Sequence, residues 1–247
     1  MRVGVFDSGI GGLSVLKSLL YSHAFKQIIY FGDTARVPYG VKDCETIVRY
    51  SLEALRFLEE FGIDLCVVAC NTASAFGLET LKQEAKIDVI GVIEPGVLAL
   101  TNRIRDKNAP ILVIGTKATI KSNQYAESLQ NLGYKCVYSI ATSLFVPFVE
   151  EGVTQQDLLF SIFDYYFKHL SFIPAAIILG CTHFPMLATA LSEYFSNKPL
   201  LIHSGEAIME YITSCYTLEK YPDTEVLYFA SENVESLKQT AKIWLKG

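Results

Sequence analysis

The sequence predicts an α/β fold of two pseudo-symmetric lobes, each with a mostly parallel sheet flanked by helices, and an active site in the crevice between them. Two observations lead to this prediction. Short apolar segments of strand length alternate with segments of helical spacing along most of the 247 residues. The strand-like segments also recur as two sets in the same order, so that Val5 aligns with Val113 and Cys70 with Cys181. A duplicated α/β unit with facing strand ends accounts for both observations.

The strands are predicted from runs of large apolar and β-branched residues. In chain order, the first set covers 2–6, 27–31, 65–69 and 89–93, and the second covers 111–114, 135–140, 175–179 and 200–202. The segments between them repeat apolar residues every three or four positions, which is typical of a helix with one buried face. The first of these segments shows the pattern in Leu13, Leu16, Leu19 and Leu20.

These elements divide the chain into a first lobe at 1–103, a second lobe at 104–208 and a C-terminal segment at 209–247. The boundary between the lobes falls in the polar stretch 103–110, which ends in Pro110. The C-terminal segment contains a helical pattern, a short strand at 226–229 and a last helix with its apolar residues on one side. We expect it to pack on the first lobe or on a partner subunit.

Composition and charge narrow the function classes. Apolar residues make up 51% of the chain and charged residues 19%, which favours a well-buried core over disorder. The net charge of −5 and the lack of a dense Lys/Arg cluster argue against a nucleic-acid partner. The sequence shows neither a secretory signal nor an apolar run of about 18 residues, so we expect a cytoplasmic protein without a membrane partner. The six cysteines are then expected to be reduced, and no His cluster completes a metal site.

Two cysteines stand in matching positions, one in each set of strands. They lie in the motifs Ala69-Cys70-Asn71-Thr72-Ala73-Ser74 and Gly180-Cys181-Thr182-His183-Phe184-Pro185. A side chain just past the carboxyl end of such a strand points into the ligand crevice. A single cysteine is usually a small buried apolar residue, and we interpret the four other cysteines in this way. The matched pair instead suggests that one thiol removes a proton from a carbon and the other returns one to its opposite face.

Two further loops follow predicted strands. The segment Asp7-Ser8-Gly9-Ile10-Gly11-Gly12 is either a tight structural turn or an anion site made of backbone N–H groups, although its spacing matches no nucleotide-binding motif. The segment Asp33-Thr34-Ala35-Arg36-Val37-Pro38-Tyr39-Gly40 is either an ordinary loop or one whose last two residues close over a small ligand.

Together these four motifs resemble those of bacterial glutamate racemases, in the cofactor-independent aspartate/glutamate racemase superfamily, over nearly the whole chain. The resemblance implies an isomerase that interconverts L- and D-glutamate without a cofactor or a metal and supplies D-glutamate for peptidoglycan synthesis. It also implies a homodimer. Cys70 and Cys181 are implied as the acid/base residues, the first taking the proton from the D-isomer and the second from the L-isomer. Asp7 and His183 are implied to assist the nearby thiols.

The resemblance further implies which residues bind the substrate: Asp7, Ser8, Pro38, Tyr39, Gly40, Asn71, Thr72, Thr116, Thr119, Glu150, Thr182 and His183. One difference from some family members is that the first predicted strand begins almost at Met1. Those members respond to a cell-wall precursor through an N-terminal extension. We therefore expect this chain to lack that control.

The proposed chemistry explains why the thiols need neighbours. The α-proton of an amino acid is very weakly acidic, so a site without a pyridoxal electron sink must stabilise a carbanion-like transition state by position and electrostatics. A thiol with a pKa of about 8.5 is only ~3% ionised at pH 7. We expect Asp7 to accept the proton of Cys70 and His183 that of Cys181. The alternatives are a racemase acting on aspartate or another acid, a dithiol redox enzyme, and a two-lobed amino-acid binding module.

Overall fold

The computed structural model of the protein describes residues 1–246 as two α/β lobes, each built on its own parallel sheet. The strands are β1 (Arg2–Asp7), β2 (Gln27–Gly32), β3 (Leu65–Val68), β4 (Asp88–Gly91), β5 (Ile111–Gly115), β6 (Val137–Ala141), β7 (Ala176–Gly180), β8 (Leu200–Ile202) and β9 (Glu225–Ala230). The first sheet has the order β4-β3-β1-β2-β9 and the second the order β6-β5-β7-β8.

Helices cover both faces of each sheet. They are α1 (Leu13–Tyr21), α2 (Cys44–Glu59), α3 (Asn71–Glu84), α4 (Ile93–Arg103), α5 (Lys117–Lys121), α6 (Gln124–Asn131), α7 (Phe145–Glu150), α8 (Gln156–Phe167), α9 (Ala188–Tyr194), α10 (Ser204–Cys215) and α11 (Val234–Trp244). Short 3₁₀ turns lie at Thr34–Arg36, Tyr39–Val41 and Phe184–Leu187. Within residues 1–246, no helix combines the length and the apolar character needed to cross a bilayer.

The strand order confirms the predicted fold class of two similar lobes. Read from its other edge, the second sheet has the order β8-β7-β5-β6, which repeats β4-β3-β1-β2 of the first. Equivalent backbone bonds follow the central strands, since Asp33 N–H donates to the Asp7 carbonyl and Thr142 N–H donates to the Gly115 carbonyl. Every predicted strand is present within two residues. Ile93 is the main difference, because it starts α4 instead of ending β4.

Apolar side chains fill both faces of each sheet. One face of the first sheet packs on α1, α10 and α11, and the other packs on α2 and α3. In the second lobe, α4 contributes Val97 and Leu100 to the cluster that contains Ile111 and Val113 of β5. Burial of both faces is typical of parallel sheets and explains why their strands are almost wholly apolar.

The chain returns to the first lobe after β8. Helix α10 packs on α1 and α4, β9 pairs with β2 along its whole length, and α11 packs on β9 and α1. The first sheet therefore has a fifth strand for which the second sheet has no equivalent. The division of the chain after residues 103 and 208 stays a prediction.

Candidate active site

A pocket lies between the lobes, where the carboxyl ends of the strands of both sheets face each other. Its empty volume is about 410 Å³, including space open to solvent. The lining residues come from both lobes: Ser8, Val37, Pro38, Tyr39, Gly40, Cys70, Asn71, Thr72, Thr116, Val146, Glu150, Gly180, Cys181, Thr182 and His183.

Of the site residues predicted from the sequence, all except Asp7 and Thr119 line this pocket. Asp7 is buried and bonds to Thr182, whereas Thr119 bonds to Thr72 and Thr116. The pocket also includes Val37, Val146 and Gly180, which sequence reasoning did not single out. Apolar residues and a strand-ending glycine carry no chemical signal that would have distinguished them from the core.

Cys70 lies two residues past β3 and begins α3. Its S–H donates to Ser8 Oγ at 3.3 Å, and its sulfur accepts the Ala73 N–H at 3.5 Å. Burial and the negative charge of Asp7 raise the pKa of the Cys70 thiol to about 12, although the bonds to Ser8 and Ala73 act in the opposite direction. Cys70 is therefore a protonated thiol at neutral pH.

Cys181 directly follows β7 and forms a chain of contacts with a histidine and a glutamate. Its Sγ lies 3.7 Å from His183 Nδ1, and His183 Nε2 lies 2.9 Å from Glu150 Oε1. Burial disfavours the charged imidazole, but the bonds to Cys181 and Glu150, together with the negative charge of Asp7, raise the pKa of His183 to about 10. His183 is therefore an imidazolium at neutral pH, positioned to stabilise a Cys181 thiolate.

Asp7 ends β1 and is fully buried. Its carboxylate accepts the Gly9 N–H at 2.9 Å, the Thr182 hydroxyl at 3.2 Å and also the Gly12 N–H. Burial raises the pKa of Asp7. The positive charge of His183 and the three hydrogen bonds act in the opposite direction but do not cancel the effect of burial. The anion that the glycine-rich turn binds is thus the side chain of Asp7 itself.

The same turn brings the two lobes into close contact. A Cβ atom at Gly11 would lie 2.4 Å from Thr182 Oγ1 and 2.5 Å from His183 Nδ1. Gly12 is equally constrained, since its added Cβ would lie 2.5 Å from Asp7 Cβ. Glycine is required at position 11 because backbone of the first lobe packs directly on Thr182 and His183 of the second.

Hydroxyl groups make a second set of contacts between the lobes. The Oγ1 atoms of Thr72, Thr116 and Thr119 are 3.0 Å apart in each pairing, which links α3 to the start of α5. Gly40 also meets the second lobe here, since an added Cβ would lie 2.7 Å from Thr116 Cβ. Pocket residues of the two lobes are therefore in direct contact at Thr72, Thr116 and Gly40.

Asn71 has two buried partners that the sequence did not predict. Tyr125 Oη donates to Asn71 Oδ1 at 2.7 Å, and Asn71 Nδ2 donates to Ser204 Oγ at 3.4 Å. Trp244, the last residue of α11, places its ring edge-on to His183 with the ring centroids 6.3 Å apart. These contacts join residues far apart in the chain, and no local motif indicates them.

The charge of the lining limits what the pocket can bind. None of the lining residues is Lys or Arg, so a carboxylate ligand would be held by N–H groups and hydroxyls, with the His183 imidazolium as a nearby positive charge. The α3 N-terminus supplies such N–H groups at Asn71 and Thr72. Among residues 1–246, no three His, Cys, Asp or Glu side chains are grouped so as to hold a metal ion. The arrangement is suited to moving protons on a small polar molecule between two thiols.

Comparison with known proteins gives matches along the whole chain. Residues 13–212 match the family model described as Asp/Glu/Hydantoin racemase. The curated glutamate racemase of Campylobacter jejuni subsp. jejuni is 54% identical over 246 residues, which cover 99% of this chain and 98% of that relative. A crystal structure of glutamate racemase from that organism has a TM-score of 0.97 at 53% identity and covers 99% of this chain and 98% of its own. The Francisella tularensis glutamate racemase, crystallised with D-glutamate, has a TM-score of 0.86 at 31% identity, covering 100% and 94%.

Proposed function

Because the chain belongs to the Asp/Glu/Hydantoin racemase family, and is thus an amino-acid racemase, we propose that it interconverts L- and D-glutamate with two thiols as acid and base. One observation carries this proposal above all. Cys70 and Cys181 follow equivalent strands of the two lobes, line one pocket, and each has its own ionisable neighbour. The similarity to proteins named glutamate racemase supports glutamate as the substrate.

In the L-to-D direction, the Cys181 thiolate takes the α-proton and the Cys70 thiol donates a proton to the opposite face of the carbon. The His183 imidazolium, bonded to Glu150, favours the Cys181 thiolate at the start of this step. The raised pKa of Cys70 keeps that thiol protonated, as a donor must be. The planar carbanion-like state between the two transfers is stabilised by the N–H groups and hydroxyls around the substrate.

In the D-to-L direction, Cys70 must first lose its proton. The charges of Asp7 and Cys70 interact, and the buried Asp7 has a raised pKa, so its carboxylate is a suitable acceptor. A relay through Asp7 predicts that Asp7→Asn changes the pH dependence of kcat with D-glutamate more than the pH dependence of kcat with L-glutamate. Equal profiles for the variant and the wild type would contradict this role.

The first test is proton NMR of the purified protein with each glutamate enantiomer in D₂O. We expect loss of the α-proton signal with both enantiomers, and chiral chromatography should show formation of the opposite one. Exchange with neither enantiomer would refute the glutamate assignment. The same measurement with L- and D-aspartate would then test the alternative substrate.

Variants that lack one thiol test which face of the α-carbon each cysteine serves. Cys70→Ser and Cys181→Ser should each lose racemisation by at least about a thousandfold, because each direction needs both thiols. Any remaining α-proton exchange should be confined to L-glutamate in Cys70→Ser and to D-glutamate in Cys181→Ser. Cys44→Ser is the control, since Cys44 is an exposed thiol on α2 that does not line the pocket. Racemisation by either site variant at the rate of this control would refute the two-thiol mechanism.

We further propose that the D-glutamate formed is used in peptidoglycan synthesis in the cytoplasm. Two catalytic thiols that must stay reduced fit a reducing compartment, and all six cysteines of the chain are free. Expression of the chain should restore growth of a bacterial strain that depends on added D-glutamate. The Cys70→Ser variant should not restore growth. Growth with that variant would show that the rescue does not depend on racemisation.

A homodimer is proposed from exposed apolar side chains that line the pocket or lie close in the chain to residues that do. Val37 lines the pocket, while Val41 and Met186 follow Gly40 and His183 closely in the chain, and all three are exposed. Such side chains frequently form protein interfaces. Light scattering during gel filtration should give twice the chain mass of 27.5 kDa. A mass of one chain at micromolar concentration would refute the dimer.

A further inference from the structure

A buried carboxylate next to the pocket takes no part in the proton transfers described above. Asp33 follows β2, is fully buried, and donates its N–H to the Asp7 carbonyl. An isolated buried charge is costly, so its partners show what it does. Arg36 Nε lies 2.7 Å from Asp33 Oδ2, and the Tyr39 hydroxyl donates to the same oxygen at 2.6 Å.

The Tyr39 side chain is held from several directions. Its ring packs on Phe6 and Tyr50, with centroid distances of 6.2 and 5.9 Å. Burial and the bond to Asp33 raise the pKa of the Tyr39 hydroxyl well above its ordinary range, so this group remains a donor to Asp33. Arg36 stacks over Tyr50, with its guanidinium 4.0 Å from the ring centroid, and also contacts Glu53.

Pro38, Tyr39 and Gly40 all line the pocket, and the 3₁₀ turn that begins at Tyr39 reaches Thr116 of the second lobe. The first N–H groups of a helical turn have no partner within it. The Tyr39 hydroxyl donates to Asp33, so the donors that this turn has left for a ligand are its main-chain N–H groups at Tyr39 and Gly40. The bond from the Tyr39 hydroxyl is made outside the pocket, because Asp33 is not one of the lining residues.

We propose that Asp33 is a positioning residue for substrate binding: its carboxylate, paired with Arg36, holds the Tyr39 hydroxyl and thereby places the turn 38–40 against the substrate. This inference rests on the proposed function. Because the turn lines the pocket and is not itself a proton donor or acceptor in the proposed mechanism, losing its position should weaken substrate binding before and during proton transfer equally. Such a change raises KM and leaves kcat nearly unchanged.

The test compares Asp33→Asn, Tyr39→Phe and the double variant in the racemisation assay. A hydrogen bond to a charged group corresponds to about a tenfold effect or more, so each single variant should raise KM for both enantiomers by about tenfold, with kcat within about threefold. Because the two side chains act through one bond, the double variant should be no worse than the more affected single variant. Tyr39→Phe keeps the ring packing and therefore tests the bond even if Asp33→Asn folds poorly.

Glu53→Gln is the matched control, because Glu53 contacts the same guanidinium from its exposed side and does not line the pocket. Its KM should equal that of the wild type. Wild-type KM in Tyr39→Phe, or additive effects in the double variant, would overturn the positioning role while the wild-type enzyme still racemises glutamate. An inactive wild type would instead refute the proposed function itself.

Discussion

At the residue scale, the two cysteines of the pocket have neighbours of opposite charge. Cys70 lies near the carboxylate of Asp7, and Cys181 lies near the imidazole of His183. Burial and the negative charge of Asp7 raise the pKa of the Cys70 thiol, whereas the Cys181 sulfur lies 3.7 Å from Nδ1 of His183, whose own pKa is raised to about 10. In the proposed mechanism, this difference lets Cys181 remove a proton first, whereas the opposite direction needs a prior proton shift from Cys70.

Glu150→Gln should move the basic limb of the pH–rate profile. Activity that depends on protonated His183 should fall as pH rises through about 10, and the bond to Glu150 contributes to that raised pKa. Removing the carboxylate should shift this limb of kcat/KM toward lower pH by about one unit. Steady-state rates between pH 6 and 10.5 measure the shift. The adjacent exposed Glu151 offers the control Glu151→Gln. The same midpoint of the basic limb in both variants would contradict the role of Glu150.

At the element scale, the glycine-rich turn after β1 shows both the use and the limit of sequence reasoning. The pattern indicated either a tight turn or an anion site, and the structure combines the two by turning the N–H groups of Gly9 and Gly12 onto Asp7. Sequence alone could not show this, because a motif does not reveal which anion its N–H groups face. It also could not show that Gly11 packs on Thr182.

Gly11→Ala should therefore impair catalysis from outside the pocket lining. The added methyl group must displace Thr182 and His183, so kcat/KM should fall by at least about a hundredfold, with a loss of unfolding free energy of about 1–3 kcal/mol. Gly77→Ala in α3 is the control, since its nearest atoms, in Ser51, lie 3.3 Å away. Racemisation rates and urea titrations of both variants check this. Similar activity for the two would show that the close approach at Gly11 is unimportant.

The strands could be predicted well because parallel strands buried on both faces are continuous apolar runs. The hydrogen-bond partners of the site residues could not be predicted from the sequence. Tyr125 reaches Asn71 across 54 positions of sequence, and β9 joins the sheet beside β2 although nearly two hundred residues separate them. Long-range contacts of this kind depend on how the lobes pack and leave no periodic pattern. Asp33 is similar, because an Asp after a strand reads equally well as part of an exposed loop.

At the scale of the whole molecule, catalysis and stability are coupled through buried ionisable groups. The pKa of His183 is raised from 6.5 to about 10 in the folded protein, so the folded state binds a proton that the unfolded chain has lost between these values. The resulting stability is complete below about pH 6.5 and is lost as pH rises through about 10.

The unfolding free energy should therefore fall between pH 7 and 8.5, by up to about 1.4 kcal/mol per pH unit. Burial also raises the pKa values of the Cys70 and Cys66 thiols, so these groups add to the decline as pH approaches about 8.5, where thiols of the unfolded chain ionise. Urea unfolding of the wild type and of His183→Gln at several pH values measures it, and the variant should show a shallower decline. A steeper decline in the variant would mean that other groups dominate the dependence.

Trp244 is the single tryptophan of the chain, and it ends α11 beside His183. Its indole is therefore a natural fluorophore beside the His183 imidazole, and all tryptophan emission of the protein comes from this one side chain. Protonated histidine quenches indole emission, so the signal should brighten as His183 loses its proton, and ligand entry that alters this proton should change the intensity. Stopped-flow recordings of unlabelled enzyme could then separate ligand arrival from the chemical step within a single turnover.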